Sequence, residues 1–136
     1  PGNVGTLIRT ATALGVGVVS IGGADPFGPK AVRASAGTCY RATLHRAEAL
    51  VDVAGTLRAG GRPLLGLAAE GERTLHDVAE SLQGAGFVLV VGAEPDGIRA
   101  GARTALDGLV RIPMQRDVES LNVGAAAAIA LHALSG

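Results

Sequence analysis

Several features that mark common protein classes are scarce in this sequence or absent from it. A single cysteine, Cys39, leaves no partner for an internal disulfide and excludes a zinc site built from cysteines. Tryptophan is absent and aromatic residues make up only 2% of the 136 residues, so we expect a core of Val, Leu, Ile and Ala. The sequence shows neither a signal-peptide pattern nor an apolar run of about 18 residues. We therefore expect a cytoplasmic protein.

Charge of one sign is also lacking, because 12 basic and 12 acidic residues give a formal net charge of zero. A neutral chain has no overall attraction to nucleic acid, which counts against such a partner unless the basic residues cluster. Five of the twelve basic residues do lie in the first third of the chain: Arg9, Lys30, Arg33, Arg41 and Arg46. They fit a face that contacts phosphates and, equally well, a plain solvated face. The three histidines show no ligand spacing, so we expect no metal site.

The apolar residues, 48% of the chain, alternate between helical and strand patterns. Helices are predicted over residues 4–14, 30–37, 48–59, 75–81, 98–106 and 125–134. Strands are predicted over residues 16–21, 39–44, 63–69, 87–91 and 109–112, and the first is apolar throughout, as strands buried on both faces are. This alternation predicts one α/β domain over residues 1–136, with a parallel sheet. Ligands of such sheets bind at the carboxyl ends of the strands.

The most distinctive stretch is the segment from residue 111 to residue 134. Pro113 ends the last strand because it has no N–H for a ladder. A polar loop then leads through Ser120 and Asn122 into an uncharged helix at 125–134, and a helix that is apolar all round is expected to be buried. On physics alone this is a packed terminal helix with Ser120 or Asn122 as its N-cap, or a loop whose polar side chains face a site.

Two further motifs each have an ordinary explanation and a functional one. The sequence GAEPDG at 92–97 follows a strand, but it has two glycines where a dinucleotide fingerprint needs three, and the chain has no P-loop. Glu94 is either a solvated residue of a turn or a carboxylate of a site. Asn3 is predicted to cap the first helix, and Arg9 follows six residues later. Both could instead face an anion at that helix N-terminus.

Three stretches, taken together, resemble the motifs of a known family. NVGTLIRTA at 3–11 resembles the first motif of the SpoU/TrmH branch of the SPOUT methyltransferases. LVVGAEPDGI at 89–98 resembles the second, and Pro113-Met114 followed by SLNV at 120–123 and a small-residue helix resembles the third. The motifs occur in the family's order, and the resemblance covers essentially the whole chain. ADPFGPKAVRASAGTCYR at 24–41 also resembles the stretch between the first two motifs.

This resemblance implies a fold and a reaction. The family fold is a Rossmann-like α/β domain with a parallel sheet and a C-terminal deep trefoil knot, which binds S-adenosylmethionine. Members are homodimers through the knot and the terminal helix. The family reaction is methyl transfer to a ribose 2′-hydroxyl of RNA, and we expect ribosomal RNA rather than transfer RNA. The family also has an N-terminal strand, and often an RNA-binding domain, that we expect to be absent here.

The resemblance also implies site residues. The catalytic set would be Asn3, Arg9, Glu94, Ser120 and Asn122. The cofactor would be lined by Leu67, Ala68, Ala69, Gly92, Glu94, Gly97, Ile112, Pro113, Met114, Ser120, Leu121, Asn122, Val123 and Ala126. RNA would contact Arg9, Lys30, Arg33 and Arg41. A non-catalytic α/β module that binds the cofactor or assists RNA assembly is the alternative, but such a module would be expected to have lost some of these residues.

Overall fold

The computed structural model describes residues 2–23, 25–92, 97–115 and 121–135. Its chain divides into two compact units, Pro1–Ala49 and Leu50–Gly136, which we call the first unit and the second unit. Among the described helices, none combines the length and the apolar character needed to cross a membrane.

The first unit contains a two-stranded parallel sheet and two helices. In chain order its elements are α1 (Gly2–Ala13), β1 (Val18–Ile21), α2 (Pro29–Ala34), a 3₁₀ turn (Thr38–Tyr40) and β2 (Leu44–Ala47). Val18 lies opposite Leu44 and Ile21 lies opposite Ala47. The prediction that the first strand is buried on both faces was wrong, because Ile21 is 37% exposed and the rest of β1 is only half-buried.

Close contact between α1 and α2 forms the core of this unit. Ile8 and Ala11 of α1 and Ala31 of α2 are buried. Gly5 makes the approach possible, because a Cβ there would lie 2.7 Å from the Cβ of Ala34 and would also meet the carbonyl oxygen of Ala31. The prediction that Asn3 is the N-cap of the first helix was wrong. An N-cap residue lies just outside the helical backbone, whereas α1 begins at Gly2 and contains Asn3.

The strand predicted over residues 39–44 was also misplaced. Residues 38–40 form a 3₁₀ turn, in which Tyr40 N–H donates to the Gly37 carbonyl and Arg41 N–H donates to the Thr38 carbonyl. These local bonds use backbone groups that a strand would need for its ladder. Strand β2 therefore starts only at Leu44.

The second unit is a four-stranded parallel sheet in the order β4-β6-β3-β5. Its strands are β3 (Leu64–Leu67), β4 (Arg73–Thr74), β5 (Val88–Val90) and β6 (Gly108–Arg111), and its helices are α3 (Leu50–Leu57), α4 (Leu75–Leu82), α5 (Ala100–Arg103) and α6 (Val123–Leu134). Leu65 of β3 lies opposite Leu89 on one side and Gly108 on the other. The predicted α/β fold with a parallel sheet is confirmed, although most elements are shorter than predicted and β4 was not predicted.

Two apolar clusters lie on the two faces of β3. Leu65 packs in one cluster with residues of α4, β6 and α6: Leu75, Val78, Val110, Ala130 and Leu134. Leu64 packs in the other with Leu50 and Ala54 of α3 and with Ala105. Successive strand residues point to opposite faces, so the unbroken apolar run of β3 reflects burial on both of them.

Helix α6 is buried on one face only, so the prediction of burial all round was wrong. Gly124, Ala127, Ala130, Leu131 and Leu134 face the second unit's core. Ala125, Ile129 and His132 are exposed on the opposite face, and Ile129 retains 45% of its accessible surface. Within its unit, the small-residue character of α6 therefore permits close packing along a single stripe.

Candidate functional site

Three loops leave the same edge of the second unit's sheet. Strands β3, β5 and β6 are parallel, so their carboxyl ends meet there, followed by residues 68–72, 91–92 and 112–115. The predicted cofactor-lining residues in these loops fall at this edge: Leu67 ends β3 and Ala68 and Ala69 follow it, Gly92 follows β5, and Ile112, Pro113 and Met114 follow β6. This is the edge where parallel sheets bind ligands.

The loop after β3 is attached to β6 by its backbone. Ala68 N–H donates to the Val110 carbonyl at 2.9 Å, and Gly71 N–H donates to the Ala68 carbonyl at 3.1 Å. A Cβ on Gly71 would lie 2.5 Å from the carbonyl carbon of Val110, so only glycine fits. The backbone groups of Ala68 are thus already engaged, and Ala68 can offer a ligand mainly apolar packing.

The loop after β5 has a narrow neck formed by two glycines. A Cβ on Gly92 would collide with the carbonyl group of Gly97 and would lie 2.6 Å from the Ile98 nitrogen. Gly97 has a φ of 76°, a left-handed conformation that favours glycine. Both predicted glycines are therefore required by the backbone itself. Glu94 belongs to the segment between them and lies outside the described residues.

A side-chain pair that the sequence did not reveal joins the loops after β3 and β5. Glu70 accepts a hydrogen bond from Arg103 of α5 at 2.6 Å, and Arg103 also donates to the Ile98 carbonyl at 3.1 Å. The hydrogen bond from Arg103 is the main reason that the pKa of Glu70 is lowered, and a backbone hydrogen bond adds to it. The partners are 33 residues apart in the chain, so no local pattern could have indicated the pair.

A shallow cavity of about 390 Å³, wide open to solvent, lies beside the loop after β6. It is lined by Pro113, Met114, Gln115 and Leu121, so its walls are mainly apolar. It brings predicted cofactor residues from both sides of the polar loop together. Ser120 lies outside the described residues.

Asn122 is the N-cap of α6, which decides between the two candidates for that role. Its side-chain carbonyl oxygen accepts hydrogen bonds from Gly124 N–H at 2.8 Å and Ala125 N–H at 3.4 Å. The oxygen is thus engaged, and the amide NH₂ is the part of Asn122 that could meet a ligand. Val123 and Ala126 are half-buried in the first turn of the helix.

The remaining predicted residues belong to the first unit. Asn3 and Arg9 are exposed on α1, Lys30 and Arg33 are exposed on α2, and Arg41 is exposed after the 3₁₀ turn. Within the ranges that the structure describes, no hydrogen bond or ion pair involves the side chains of four of these residues: Arg9, Lys30, Arg33 and Arg41. Their charges are therefore available to an anionic partner.

The described part of the chain has no group of three or more His, Cys, Asp or Glu residues placed to hold a metal ion. Besides Glu70, the carboxylate with a lowered pKa in this part is Asp107, at the opposite edge of the sheet from the three loops. It accepts a hydrogen bond from Leu64 N–H at 2.7 Å and one from Arg58 at 3.2 Å. The first of these is the larger cause of the lowered pKa of Asp107. Asp107 supports the sheet and has no place in the site.

Several known proteins are similar to this chain in fold and sequence. A 23S rRNA (guanosine(2553)-2′-O)-methyltransferase of Bacillus subtilis is 34% identical over 100% of this chain and 54% of its own length. The SpoU methyltransferase AviRb of Streptomyces viridochromogenes, solved with the cofactor AdoMet, has a TM-score of 0.88 and 32% identity over 99% of this chain and 52% of its own. A structure solved to study 2-OH methylation of C/U34 on tRNA has a TM-score of 0.84 and 26% identity, over 98% of this chain and 86% of its own.

The chain thus spans about half the length of the curated relatives that it matches. The sequence model of the SpoU rRNA Methylase family matches residues 1–132, nearly the whole chain. This agrees with the three motifs and with the parallel α/β fold. The chain therefore belongs to the SpoU rRNA Methylase family.

Proposed function

We propose that this chain is the catalytic domain of an S-adenosylmethionine-dependent RNA ribose 2′-O-methyltransferase. The observation that carries the proposal is the apolar cavity at Pro113, Met114 and Leu121, directly before helix α6 with its N-cap Asn122. The family match over residues 1–132 supports it. The Bacillus subtilis relative is a 2′-O-methyltransferase of 23S rRNA, and AviRb was solved with AdoMet.

The residues at the sheet edge fit this cofactor. The described lining of the cavity is mainly apolar, which suits an adenosyl group. The holding residues would be those of the three loops and the start of α6: Leu67, Ala68, Ala69, Gly92, Glu94, Gly97, Ile112, Pro113, Met114, Ser120, Leu121, Asn122, Val123 and Ala126. When bound, the cofactor supplies an electrophilic methyl group on a sulfonium whose departing thioether is neutral, so the transfer needs no metal.

The chain's own residues would orient the nucleophile. A ribose 2′-hydroxyl is a weak nucleophile and must lose its proton as the methyl group is transferred. Arginine is a poor base because its guanidinium gives up a proton only with great difficulty. Arg9, exposed on α1 and without a described partner, would instead hold the substrate phosphate and the hydroxyl and stabilise developing negative charge, while the hydroxyl proton passes to that phosphate or to water. Asn3 and the amide NH₂ of Asn122 would position Arg9 or the ribose, and Glu94 and Ser120 would shape the site.

Ribosomal RNA is the substrate that we favour, because curated relatives such as the Bacillus subtilis enzyme act on it. The neighbour solved for tRNA methylation makes transfer RNA the competing substrate. Such RNA substrates imply a cytoplasmic localisation. The alternative of a non-catalytic module is less favoured, because Asn3, Arg9, Glu94, Ser120 and Asn122 are all present in the sequence.

We further propose the homodimer and the C-terminal trefoil knot that the family resemblance implies. The exposed face of α6 supports the homodimer, since Ile129 and the nearby Ala125 and His132 have no cover within their own unit. Leu121, 38% exposed before the helix, could extend such an interface.

Calorimetric titration with S-adenosylmethionine tests the cofactor site. Leu121→Lys places a charged side chain in the apolar cavity proposed for the cofactor, and we expect affinity to fall at least about tenfold, or 1.4 kcal/mol. Leu14→Lys is the matched control, because Leu14 is 39% exposed and lies in the first unit. It should bind like the wild type. Absence of binding to folded wild-type protein would reject the cofactor assignment.

Transfer of a labelled methyl group to RNA tests the reaction itself. A methyl group on a 2′-oxygen blocks alkaline cleavage of the adjacent phosphodiester, so the label should remain in an alkali-resistant dinucleotide. Label recovered in a free mononucleotide would indicate base methylation and would contradict the ribose assignment. Cofactor binding without any transfer would favour the non-catalytic module.

A further inference from the structure

Two of the chain's few aromatic residues lie side by side on the surface of the first unit. The chain has two phenylalanines, one tyrosine and no tryptophan. The rings of Phe27 and Tyr40 have centroids 5.7 Å apart and planes inclined by 31°. Phe27 is nevertheless 43% exposed and Tyr40 is 68% exposed. The pair therefore adds little to the core and presents a large apolar surface to its surroundings.

The segment that carries Phe27 is firmly held. Pro26, directly before it, is fully buried. The Phe27 N–H donates to a carboxylate oxygen of Asp25 at 2.9 Å, and the same oxygen lies 3.6 Å from Arg46 of β2. The Phe27 ring is thus directed outwards by a turn that is attached to the sheet.

The segment that carries Tyr40 is held in the same manner. Cys39, directly before it, is 2% exposed, and the Thr38 hydroxyl donates to the Ser35 carbonyl at 2.7 Å. Ser35 itself is fully buried, and its hydroxyl oxygen accepts a weak hydrogen bond from Cys39 N–H at 3.5 Å. Each exposed ring therefore follows a buried anchor, so the pair is preorganised and little conformational entropy would be lost when a ligand binds it.

Three positively charged residues lie close to this aromatic pair along the chain. Lys30 and Arg33 lie between the two aromatic residues along the chain, and Arg41 follows Tyr40 directly. All three are exposed and have no ion-pair partner in the part of the chain that the structure describes. A positively charged surface with exposed aromatic rings is the combination that binds single-stranded nucleic acid, with bases stacked on the rings and phosphates on the cations.

We propose that Phe27 and Tyr40 form a stacking platform for an unpaired base of the RNA substrate, while Lys30, Arg33 and Arg41 contact the flanking phosphates. The platform rests on the proposed function and deepens it, because it specifies an unstacked segment rather than an intact duplex. Stacking is tolerant of base identity, so the platform would hold the RNA strand and would not read its sequence.

The composition offers a direct optical test. Tyr40 is the only tyrosine of this chain, which has no tryptophan, so the chain's tyrosine emission reports on the platform. We expect saturable quenching of that emission by an unstructured oligouridylate of about ten nucleotides. An abasic oligomer of the same length and charge should bind more weakly and quench less. Free N-acetyltyrosinamide at the same RNA concentrations corrects for light absorbed by the RNA.

Substitutions then separate stacking from charge. With labelled oligouridylate followed by fluorescence anisotropy, Tyr40→Leu and Phe27→Leu should each weaken binding about 5-fold to 100-fold and leave its salt dependence unchanged. Tyr40→Phe retains the ring and should bind like the wild type. Arg33→Gln should reduce the slope of log affinity against log salt by about 0.7. Unchanged cofactor affinity in Tyr40→Leu would confirm that the protein is folded.

Three outcomes would overturn the platform. If wild type binds RNA and Tyr40→Leu binds it equally well, the platform is wrong and the methyltransferase proposal stands. If Tyr40→Leu leaves RNA affinity unchanged but lowers the sedimentation coefficient, the pair packs against a second copy of the chain. If wild type binds neither RNA nor S-adenosylmethionine, both proposals fail together.

Discussion

The two units of this chain use their charged residues in opposite ways. The first unit has five basic and two acidic residues, a formal charge of +3, whereas the second has seven basic and ten acidic residues, a formal charge of −3. The net charge of zero, which argued against a nucleic-acid partner, is therefore the sum of two unlike regions. An average over the chain conceals the basic region that such a partner would contact.

Arginine shows the difference most clearly. In the second unit, five arginines bind backbone carbonyls or carboxylates and thereby fix loops and helix ends: Arg58, Arg62, Arg73, Arg103 and Arg111. In the described part of the first unit, Arg46 is the basic residue with such a partner, Asp25. The same residue type is thus largely structural in one unit and largely available to a ligand in the other.

The largest expected effect contrasts one helical glycine from each unit. Gly5→Ala should lower the free energy of unfolding by about 3 kcal/mol, because its Cβ would collide with the backbone of α2. Gly55→Ala in α3 meets no atom within 4 Å and should raise that free energy by about 0.5–1 kcal/mol. Urea unfolding of both variants measures the difference. Equal effects would show that the close approach of α1 and α2 does not limit stability.

How much of the fold and of the site could be predicted from the sequence depends on whether the deciding interactions are local. The buried run of β3 and the end of β6 before Pro113 were predictable, because an apolar run and a proline act on their own segment. The role of Asn122 was predictable as one of two alternatives, since caps are fixed by residue type. The 3₁₀ turn at 38–40 was not predicted, because Cys39 and Tyr40 also suit a strand and the deciding bonds involve Gly37 and Ser35.

Contacts between residues that are far apart in the chain could not be predicted from the sequence. Strand β4 is only two residues long, and its pairing with β6 depends on residues about 37 positions away. The Glu70–Arg103 contact between two site loops likewise joins distant segments. The catalytic roles of all five predicted residues stay predictions, and Glu94 and Ser120 also lie outside the described residues.

A smaller effect tests the charge contrast directly. The double variant Arg33→Gln, Arg41→Gln should weaken binding of a single-stranded RNA about tenfold, or 1.4 kcal/mol, and should flatten its salt dependence, because two phosphate contacts are lost. The double variant Arg62→Gln, Arg73→Gln removes the same charge from the second unit, where both side chains bond to carbonyls. It should leave RNA affinity nearly unchanged. Equal losses in the two variants would mean that only net charge matters.

The smallest effect concerns Asp107, which shows how the second unit uses a charge for stability alone. The Leu64 N–H and, secondarily, Arg58 hold the pKa of Asp107 below its usual 3.8 in the folded protein. Folding therefore favours the ionised form, and this stabilisation is fully present above about pH 4 and is lost as the pH falls through the lowered pKa.

Because the side chain is 42% exposed, solvent screens the interaction, and Asp107→Asn should cost about 1 kcal/mol or less at neutral pH. The difference between wild type and variant, measured by urea unfolding, should be constant above about pH 4 and should shrink as the pH falls further. Asp52→Asn, the same change on the exposed start of α3, should remain within about 0.5 kcal/mol of wild type. A difference for Asp107→Asn that grew on acidification would show that the hydrogen bond from Leu64 does not favour the ionised carboxylate.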